Sequence, residues 1–431
     1  MTPLITVGIL TAHTVRFSIE GAFALNGRSV PPGHYEAVIR EGRIQIGSDA
    51  ATKMKFTPLS ADSLFTLHDV VIGIQFHWQR HQSQSFRGAL KLIMDSEMIT
   101  AINAVDIETY LQSVVSSEMN ARACPEYIKA HAILSRSWLL AQLDPDESLS
   151  HYTCTATPDE TVRWYDRQAH TLFNVCADDH CQRYQGCTRA NPDAVRAVEA
   201  TAGEVLTFAG RLCDARFSKC CGGVTERFST CWQPVDYPYL RPVTDAPDNP
   251  AVPDLTDEAE ATRWILSTPP AYCAAPGREV LESVLNDFDR ETNDFYRWQV
   301  DYTADQLADI VRRRTGIDFG HIMSLTPLHR GASGRIDRLE IRGSRRTMVI
   351  GKELEIRRIL SESHLYSSAF VATPHDPDAH GVPARWTIRG AGWGHGVGLC
   401  QIGAAAMAYD GYDYRSILAH YFPGAEISKA Y

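Results

Sequence analysis

Four residues between positions 170 and 181 carry the plainest chemistry in this sequence. His170, Cys176, His180 and Cys181 form an H-x5-C-x3-H-C group. Two imidazoles and two thiolates satisfy a tetrahedral Zn²⁺, although the spacing differs from the common finger patterns. With every ligand supplied by protein, such a site is closed and structural and leaves no position for a metal-bound water. Cys187 lies near enough in sequence to replace one of the four, and a set of buried thiols beside surface histidines is the plain alternative. Lys129 and Arg136 stand seven apart, roughly two helical turns, so they share a face. That face could hold a carboxylate, which an Arg fork grips in a bidentate pair, or it is a solvated basic stripe. In GWGHGVG (392–398), four glycines surround His395, so the backbone packs closely against something there, with Trp393 nearby as an aromatic platform. A glycine-rich turn closing the fold around a structural histidine is the alternative. Cys220 and Cys221 are adjacent, but no His stands at a recognisable spacing from them, so covalent cysteine catalysis is not indicated.

The elements that must position these residues change character along the chain. Up to about residue 104, ITVGIL and TVRFSIE alternate or cluster β-branched residues, with turn chemistry at 26–28, 31–34 and 41–43. FRGALKLIMDSEMITAINAV (86–105) reads as a hairpin with an acidic break. Asp106 can cap a helix that carries Tyr110, Leu111, Val114 and Val115 at helical spacing. A second helix starts at Pro125 and runs to about Gln142, while SSEMNARAC (116–124) between them is too polar and short to be core. Residues 196–245 return to short strands, including EVLTFAG and a Gly-Gly turn in SKCCGGVTE. A Pro/Asp-rich stretch then opens 246–345, with helix candidates near 257–267, 278–290 and 303–315, and 335–350 reads as strand. Past 385 come the glycine loop, a small-residue helix (401–409) and an amphipathic one (413–421). The expected fold is α+β: a β-rich core, a helix pair and a C-terminal glycine loop with helices. The expected division is a β-rich domain at 1–104, a core at 105–245 plus 346–431, and an inserted module at 246–345.

Composition excludes several classes. Lys and Arg number 42 against 52 Asp and Glu, a formal charge of −10 without a basic stripe, so nucleic acid is not an expected partner. There is no HExxH and no P-loop, and the run 390–398 misses the G-x-G-x-x-G register because its closing position falls on His395, Val397 or Gln401. Eleven cysteines, five of them between 150 and 215, favour a metal site or free thiols over structural bridges. No segment approaches the ~18 apolar residues of a membrane span, and MTPLITVGIL lacks a basic residue ahead of its apolar run, so it does not read as a secretory signal.

Two longer stretches carry a resemblance. DIETYLQSVVSSEMNARACPEYIKAHAILSRSWLLAQL (106–143) resembles the SEM-containing helix pair of the SpoIID/LytB family (stage II sporulation protein D, also called amidase enhancer). GAGWGHGVGLCQIGAAAMAYDGYDYRSILAHYFPGAEI (390–427) is similar to that family's C-terminal block. TAGEVLTFAG, ARFSKCCGGVTE, YPYLRPVTD (237–245) and GKELEIRRIL (351–360) follow in the family's order, and 246–345 lies outside its minimal pattern. The family includes lytic transglycosylases that cut the N-acetylmuramic acid to N-acetylglucosamine bond of peptidoglycan, with the SEM Glu as acid/base. The resemblance therefore implies Glu118 as the catalytic residue. Breaking a glycosidic bond needs a proton on the leaving oxygen, from a carboxyl whose pKa partial burial raises. A hydrolase normally needs a second carboxylate, whereas a transglycosylase manages with one because the sugar's own C6 hydroxyl attacks. Glu118, beside Val114, Val115 and Met119, suits that role; a solvated Glu at a helix end is the alternative.

The resemblance further implies that Lys129 and Arg136 hold the lactyl carboxylate, that Ser218 and Thr225 belong to a cleft-lining loop, and that His395 and Gln401 line a cleft opposite Glu118 and orient substrate beside Trp393. It implies a zinc in the 170–181 region, as some members carry. The chain departs from the pattern twice. Trp138 stands where the family usually has Tyr, which keeps an aromatic surface, and Cys400-Gln401-Ile402-Gly403 replaces Ser-Gln-Trp-Gly. The implied partners are peptidoglycan glycan strands or muropeptides. The alternative is a non-catalytic peptidoglycan-binding module that enhances an amidase. The family is expected at the cell envelope, and the absence of a recognisable signal leaves a cytoplasmic place open.

Overall fold

The structure, a computed structural model, describes residues 2–73, 80–118, 124–143, 154–164, 170–178, 180–248, 250–274, 276–285 and 294–431. The fold is α+β and β-rich, and it divides into two compact units. The first comprises Met1–Leu143, Arg167–Val205 and Ser428–Tyr431; the second comprises Asp144–Asp166 and Leu206–Ile427.

In the first unit, alternation along the strands decides which face is covered. Strand Thr14–Glu20 buries Val15, Phe17 and Ile19 and exposes the residues between them, or leaves them partly exposed, as a period of two requires. It belongs to a six-stranded sheet, and Leu4–Ala12, Met98–Asp106, Ala89–Asp95 and Lys53–Pro58 run side by side within a seven-stranded one. Phe17 from the first sheet meets Phe56 of the second edge-on at 5.1 Å, so the sheets pack through their apolar faces. The anticipated hairpin is Ala89–Asp95 with Met98–Asp106.

Strand Met98–Asp106 runs straight into helix α1 (Ile107–Glu118), and Asp106 caps it by accepting the Thr109 N–H at 3.0 Å. Ile107, Tyr110, Leu111, Val114 and Val115 form its buried stripe. Each large side chain among them stabilises by about 1.5–3 kcal/mol. Ser116 and Ser117 are also buried, so the helix carries the stretch read as a polar connection as far as Glu118; residues 119–123 lie outside the described residues. Helix α2 (Pro125–Leu143) is buried on nearly every side, which explains why it lacks a polar stripe: it packs against both α1 and α3 (Pro192–Ala200). Helix α3 falls partly in a stretch expected to hold strands; Asn191 caps it at 2.8 Å and Pro192 occupies its first turn.

Arg136 of α2 is 0% exposed. Its Nε and Nη2 donate to Glu108 Oε1 and Oε2 at 2.9 and 2.7 Å, and Nη1 donates to the Glu204 carbonyl at 2.9 Å. The bidentate pair expected for a substrate carboxylate is made with Glu108 of α1 instead, so Arg136 joins two helices and a strand. Trp138 is 6% exposed and belongs to the core, not to a stacking surface.

The second unit contains helices α4 (Phe228–Cys231), α5 (Glu258–Leu266), α6 (Arg278–Val284), α7 (Ala304–Thr315), α8 (Glu353–Ile359), α9 (Gln401–Tyr409) and α10 (Tyr414–Tyr421). A five-stranded sheet, in which Thr347–Gly351, Ile336–Gly343 and Ile322–Arg330 are neighbours, joins a three-stranded sheet of Arg297–Thr303, Pro383–Ala391 and Phe370–Pro377. Trp298, Leu307, Ile341, Phe370, Trp386 and Ile388 share one apolar core. Helix α7 is fixed at both ends, by a Thr303/Gln306 capping box and by Gly316 at φ 74°.

The structure divides the chain differently from the sequence reading. No boundary falls at 104, because strand and helix are continuous there. Residues 246–345 do not stand apart: Arg297–Thr303 pairs with Pro383–Ala391, and Ile336–Gly343 pairs with Thr347–Gly351.

Removing one partner of a buried ion pair leaves the other uncompensated. Arg136→Ala should therefore destabilise the protein by about 3–5 kcal/mol, read as a lower Tm. The paired Glu108→Gln/Arg136→Met variant should recover much of it.

Candidate functional site

The candidate residues divide between the two units. In the first, Glu118 closes α1, partly buried, and its Oε1 accepts the backbone N–H of Arg183 at 2.8 Å. An amide aimed at a carboxylate makes a charge-assisted bond that fixes the carboxyl's direction. The segment supplying this amide is laced to α1 along its length. Gln185 N–H donates to Ser113 Oγ at 3.1 Å, Asn191 N–H to Ser116 Oγ at 3.2 Å, and Tyr110 Oη to Gln182 Oε1 at 3.2 Å. The Tyr184 ring stacks on Tyr110 at 4.9 Å while its hydroxyl donates to Asn103 Oδ1 at 2.6 Å. Burial pushes both phenols above their usual range, and Cys181 and Glu118 add to the effect at Tyr110, so both remain protonated donors.

The same segment begins at the Cys/His group. Strand Val175–Cys176 adds in parallel to Leu4–Ala12, with Cys176 opposite Gly8. From there, the ligand atoms of His170, Cys176, His180 and Cys181 all come within 4.8 Å of one another. Cys181 Sγ lies 3.4 Å from His170 Nε2 and 3.5 Å from His180 Nδ1, and it accepts the Cys176 N–H at 3.4 Å. Such convergence is what a four-coordinate metal ion needs, and the four residues form a group able to hold one. Hydrogen bonding with Cys181, and then with His170 and His180, holds the Cys176 thiol far below its usual range despite opposing burial. Cys187, the alternative ligand, turns elsewhere: its thiol donates to the Ser85 carbonyl at 3.1 Å. Lys129 pairs with Glu126 on its own helix at 2.7 Å, both side chains partly buried.

In the second unit, the glycine loop wraps a guanidinium. Arg335 is fully buried; its Nε donates to the Gly394 carbonyl at 3.1 Å, and its Nη1 to the Cys221 carbonyl at 3.0 Å and to Ser333 Oγ at 2.8 Å. Glu226 anchors the other side, accepting Ser333 Oγ at 2.6 Å while its N–H donates to the Gly396 carbonyl at 2.8 Å. Gly396 has φ 77°, and a Cβ there would lie 2.4 Å from Arg335 Cζ. At Gly398, with φ 72°, a Cβ would lie 2.1 Å from the Arg216 carbonyl. Only glycine fits either position. The close packing inferred from GWGHGVG is packing against Arg335 and the Arg216 backbone.

His395, partly buried, accepts the Val397 N–H at Nδ1, 3.0 Å away, so its neutral ring carries the proton on Nε2. Its ring meets Trp232 edge-on at 4.9 Å. Burial, then Arg216, Arg335 and Arg357, hold it well below its usual pKa. It is thus a neutral donor, suited to orienting a polar group and unsuited to acting as an imidazolium acid. Trp393 is partly buried, stacked on Phe295 at 5.1 Å and tilted against Tyr366 at 4.5 Å. Ser218, in a two-residue strand paired with Leu399–Cys400, is 6% exposed with its Oγ unpartnered among the described residues. Thr225 does not line a cleft: it is buried, and its Oγ1 accepts the Val243 N–H at 2.8 Å. Gln401, at the start of α9, is 3% exposed and likewise internal.

Sequence reasoning passed over Arg183, whose contribution is a backbone amide without any side-chain signature, and Arg335, a buried Arg indistinguishable in sequence from a surface one. It passed over Phe295 and Tyr366, which reach Trp393 from distant segments.

Comparison with known proteins bears on both units. Residues 95–208 match the family described as Stage II sporulation protein, and residues 226–398 match a domain of unknown function, DUF8618. The latter match contains the whole of the stretch read as an insertion. Stage II sporulation protein D of Bacillus amyloliquefaciens is 25% identical over 331 residues, 77% of this chain and 76% of that protein. The Bacillus subtilis protein of the same name is 24% identical over 330 residues, 77% of this chain and 76% of that protein. The Amidase enhancer of Bacillus subtilis is 24% identical over 330 residues, 74% of this chain but 40% of that protein.

Three partly buried histidines set a pH limit. His395 is held well below 6.5; burial and then Arg357, Arg314 and Arg358 bring His364 to about 3; burial lowers His420. Each stays neutral in the fold while the unfolded chain takes up a proton near pH 6.5. Their contribution is therefore complete above about pH 6.5 and declines as pH falls below it. Denaturant titrations from pH 7.5 to 5 should show this decline, and His395→Gln, which keeps an acceptor for Val397, should flatten it by up to about 1.4 kcal/mol per pH unit.

Proposed function

We propose that this chain, which matches the Stage II sporulation protein family over residues 95–208, is a lytic transglycosylase that cleaves peptidoglycan glycan strands with Glu118 as its acid/base. The observation that carries this reading is the orientation of one carboxyl: Glu118 ends α1 with its Oε1 held by the Arg183 amide at 2.8 Å. Protonated Glu118 gives its proton to the glycosidic oxygen as the bond from C1 of N-acetylmuramic acid breaks. The C6 hydroxyl of the same sugar then attacks C1, and its proton passes to the Glu118 carboxylate. The products are a 1,6-anhydro end and a new 4-hydroxyl end, with no water consumed and the enzyme returned to its starting protonation. A single carboxyl serves both transfers, so its placement matters more than any second acidic group.

His170, Cys176, His180 and Cys181 would hold a zinc ion. A tetrahedral site with Zn–S of about 2.3 Å and Zn–N of about 2.0–2.1 Å needs S···N separations of about 3.5 Å, and those at Cys181 are 3.4 and 3.5 Å. Four protein ligands would make it structural, and an ion held there would stiffen the segment that carries the Arg183 amide. Within the second unit, Trp393, partly buried against Phe295 and Tyr366, is the aromatic candidate for stacking on a sugar ring, and neutral His395, two positions on, is a candidate donor. Lys129, tied to Glu126, lies at the start of α2 as the remaining candidate for an acidic group of the substrate.

The second reading is a glycan-binding partner of an amidase, favoured by the name of the Bacillus subtilis relative. Digestion of peptide-free glycan strands followed by mass analysis separates the two. Anhydro ends from the wild type that fall by about 100-fold or more in Glu118→Gln are expected. Hydrated ends would make it a hydrolase, and retained binding without products would favour the amidase partner. Chelation of the wild type should lower the yield of anhydro ends by about 10–100-fold, the worth of one charge-assisted hydrogen bond.

A further inference from the structure

We propose that Cys221, Cys273, Cys400 and Asp245 of the second unit form a separate metal site, fully enclosed and holding one Zn²⁺. These residues come from four distant stretches: the Cys-Cys-Gly-Gly turn, the end of the 237–245 segment, the turn before α6 and the N-cap of α9. Yet three sulfurs and a carboxylate oxygen converge to within 4.8 Å of one another, and all four residues are buried. The Sγ atoms of Cys221 and Cys273 are 3.8 Å apart. That is nearly twice the ~2.05 Å of a disulfide, and it equals the edge of about 3.8 Å of a tetrahedron with Zn–S of about 2.3 Å.

The surroundings are those of metal-bound thiolates. Sulfur acts as the acceptor in three backbone hydrogen bonds: Cys400 Sγ takes the N–H groups of Cys221 at 3.2 Å and Gly403 at 3.4 Å, and Cys221 Sγ takes that of Gly223 at 3.4 Å. Asp245 is 0% exposed, and no salt bridge reaches it among the described residues. A carboxylate taken out of water with no counter-charge is costly, and buried charges are paired or coordinate a metal. Its oxygens are already oriented from outside, by the Cys273 N–H at 3.0 Å and the Tyr421 hydroxyl at 2.5 Å, as outer partners orient metal ligands. Space for this arrangement is kept by Gly403, where a Cβ would lie 2.3 Å from Asp245 Oδ1. Thiolate-rich, four-coordinate and without a position for water, the site is structural and selects zinc. It ties the start of α9 to the Cys220–Gly223 turn, whose Cys220 exchanges backbone hydrogen bonds with Trp393 at 3.0 and 2.8 Å, and so it fixes one flank of the glycine loop.

The test removes the His170 group first, so that its outcome does not depend on that site or on the proposed activity. The full chain carrying Cys176→Ser and Cys181→Ser, purified without added metal, should retain one zinc per chain by elemental analysis. Adding Cys273→Ser should abolish it. Zinc-free, folded double variant would overturn the proposal. Where the triple variant does not fold, cobalt substitution of the double variant decides: thiolate-to-cobalt charge-transfer absorption with the intensity of three thiolates is expected, and its absence would equally overturn it.

Discussion

The first unit depends on one short contact between a carboxylate and an amide. Glu118 sits where α1 stops, and a helix end offers its last side chain little to fix it. The Arg183 N–H supplies that constraint at 2.8 Å, and it does so because the chain from His170 to Asn191 is held at several points. A parallel strand ties Cys176 to the sheet, the Cys/His group closes a tight turn, and Tyr184, Gln185 and Asn191 each bond or stack onto α1 or its preceding strand. An amide on a loop without those anchors would exchange with water, and the carboxyl would sample many directions. Local order at Glu118 is therefore a property of the loop more than of the helix.

The second unit uses a buried guanidinium for a comparable purpose. Arg335 fills the centre of the glycine loop and hands its donors to Gly394, Cys221 and Ser333, while Glu226 bonds Ser333 and Gly396. Positive φ at alternate glycines is costly for any other residue, and here it brings the loop backbone against the guanidinium, with the Gly394 carbonyl accepting from Arg335 and the Gly396 carbonyl from the Glu226 N–H. His395 is positioned by that wrapping, through the Val397 N–H, and is kept neutral by burial and by Arg216, Arg335 and Arg357. Buried arginines in both units are thus structural. Arg136 binds Glu108 and Arg335 binds carbonyls, and neither presents its charge to a ligand.

Much of this was legible where the signal is local. Asp106 as a cap, Pro125 as a helix start, the 86–105 hairpin and the helices near 258, 304, 401 and 414 follow from capping and periodicity, which involve neighbours within a few residues. The compact H-x5-C-x3-H-C spacing brought its four donors together. What sequence could not carry is anything set by burial at long range. Arg136 has the pattern of a basic stripe, yet its helix is covered on nearly every side. Arg335 lies in a stretch that looked like an insertion, because its partners are about sixty positions away in the glycine loop and more than a hundred away at Cys221. Cys221, Asp245, Cys273 and Cys400 span 180 positions and form no motif until the fold assembles them. Helix α3 was different, since its Asn-Pro start was present and the surrounding strand signals outweighed it.

Residue-resolved amide hydrogen exchange at Arg183 tests the role of the Cys/His segment most directly. In the intact protein this amide should be strongly protected, and dismantling the group with Cys176→Ser and Cys181→Ser should speed its exchange by about 10–100-fold, the worth of one charge-assisted hydrogen bond, while amides of strand Met98–Asp106 keep their protection. An Arg183 amide that exchanges at the rate of a free loop in the intact protein, or one indifferent to loss of the Cys/His group, would contradict it.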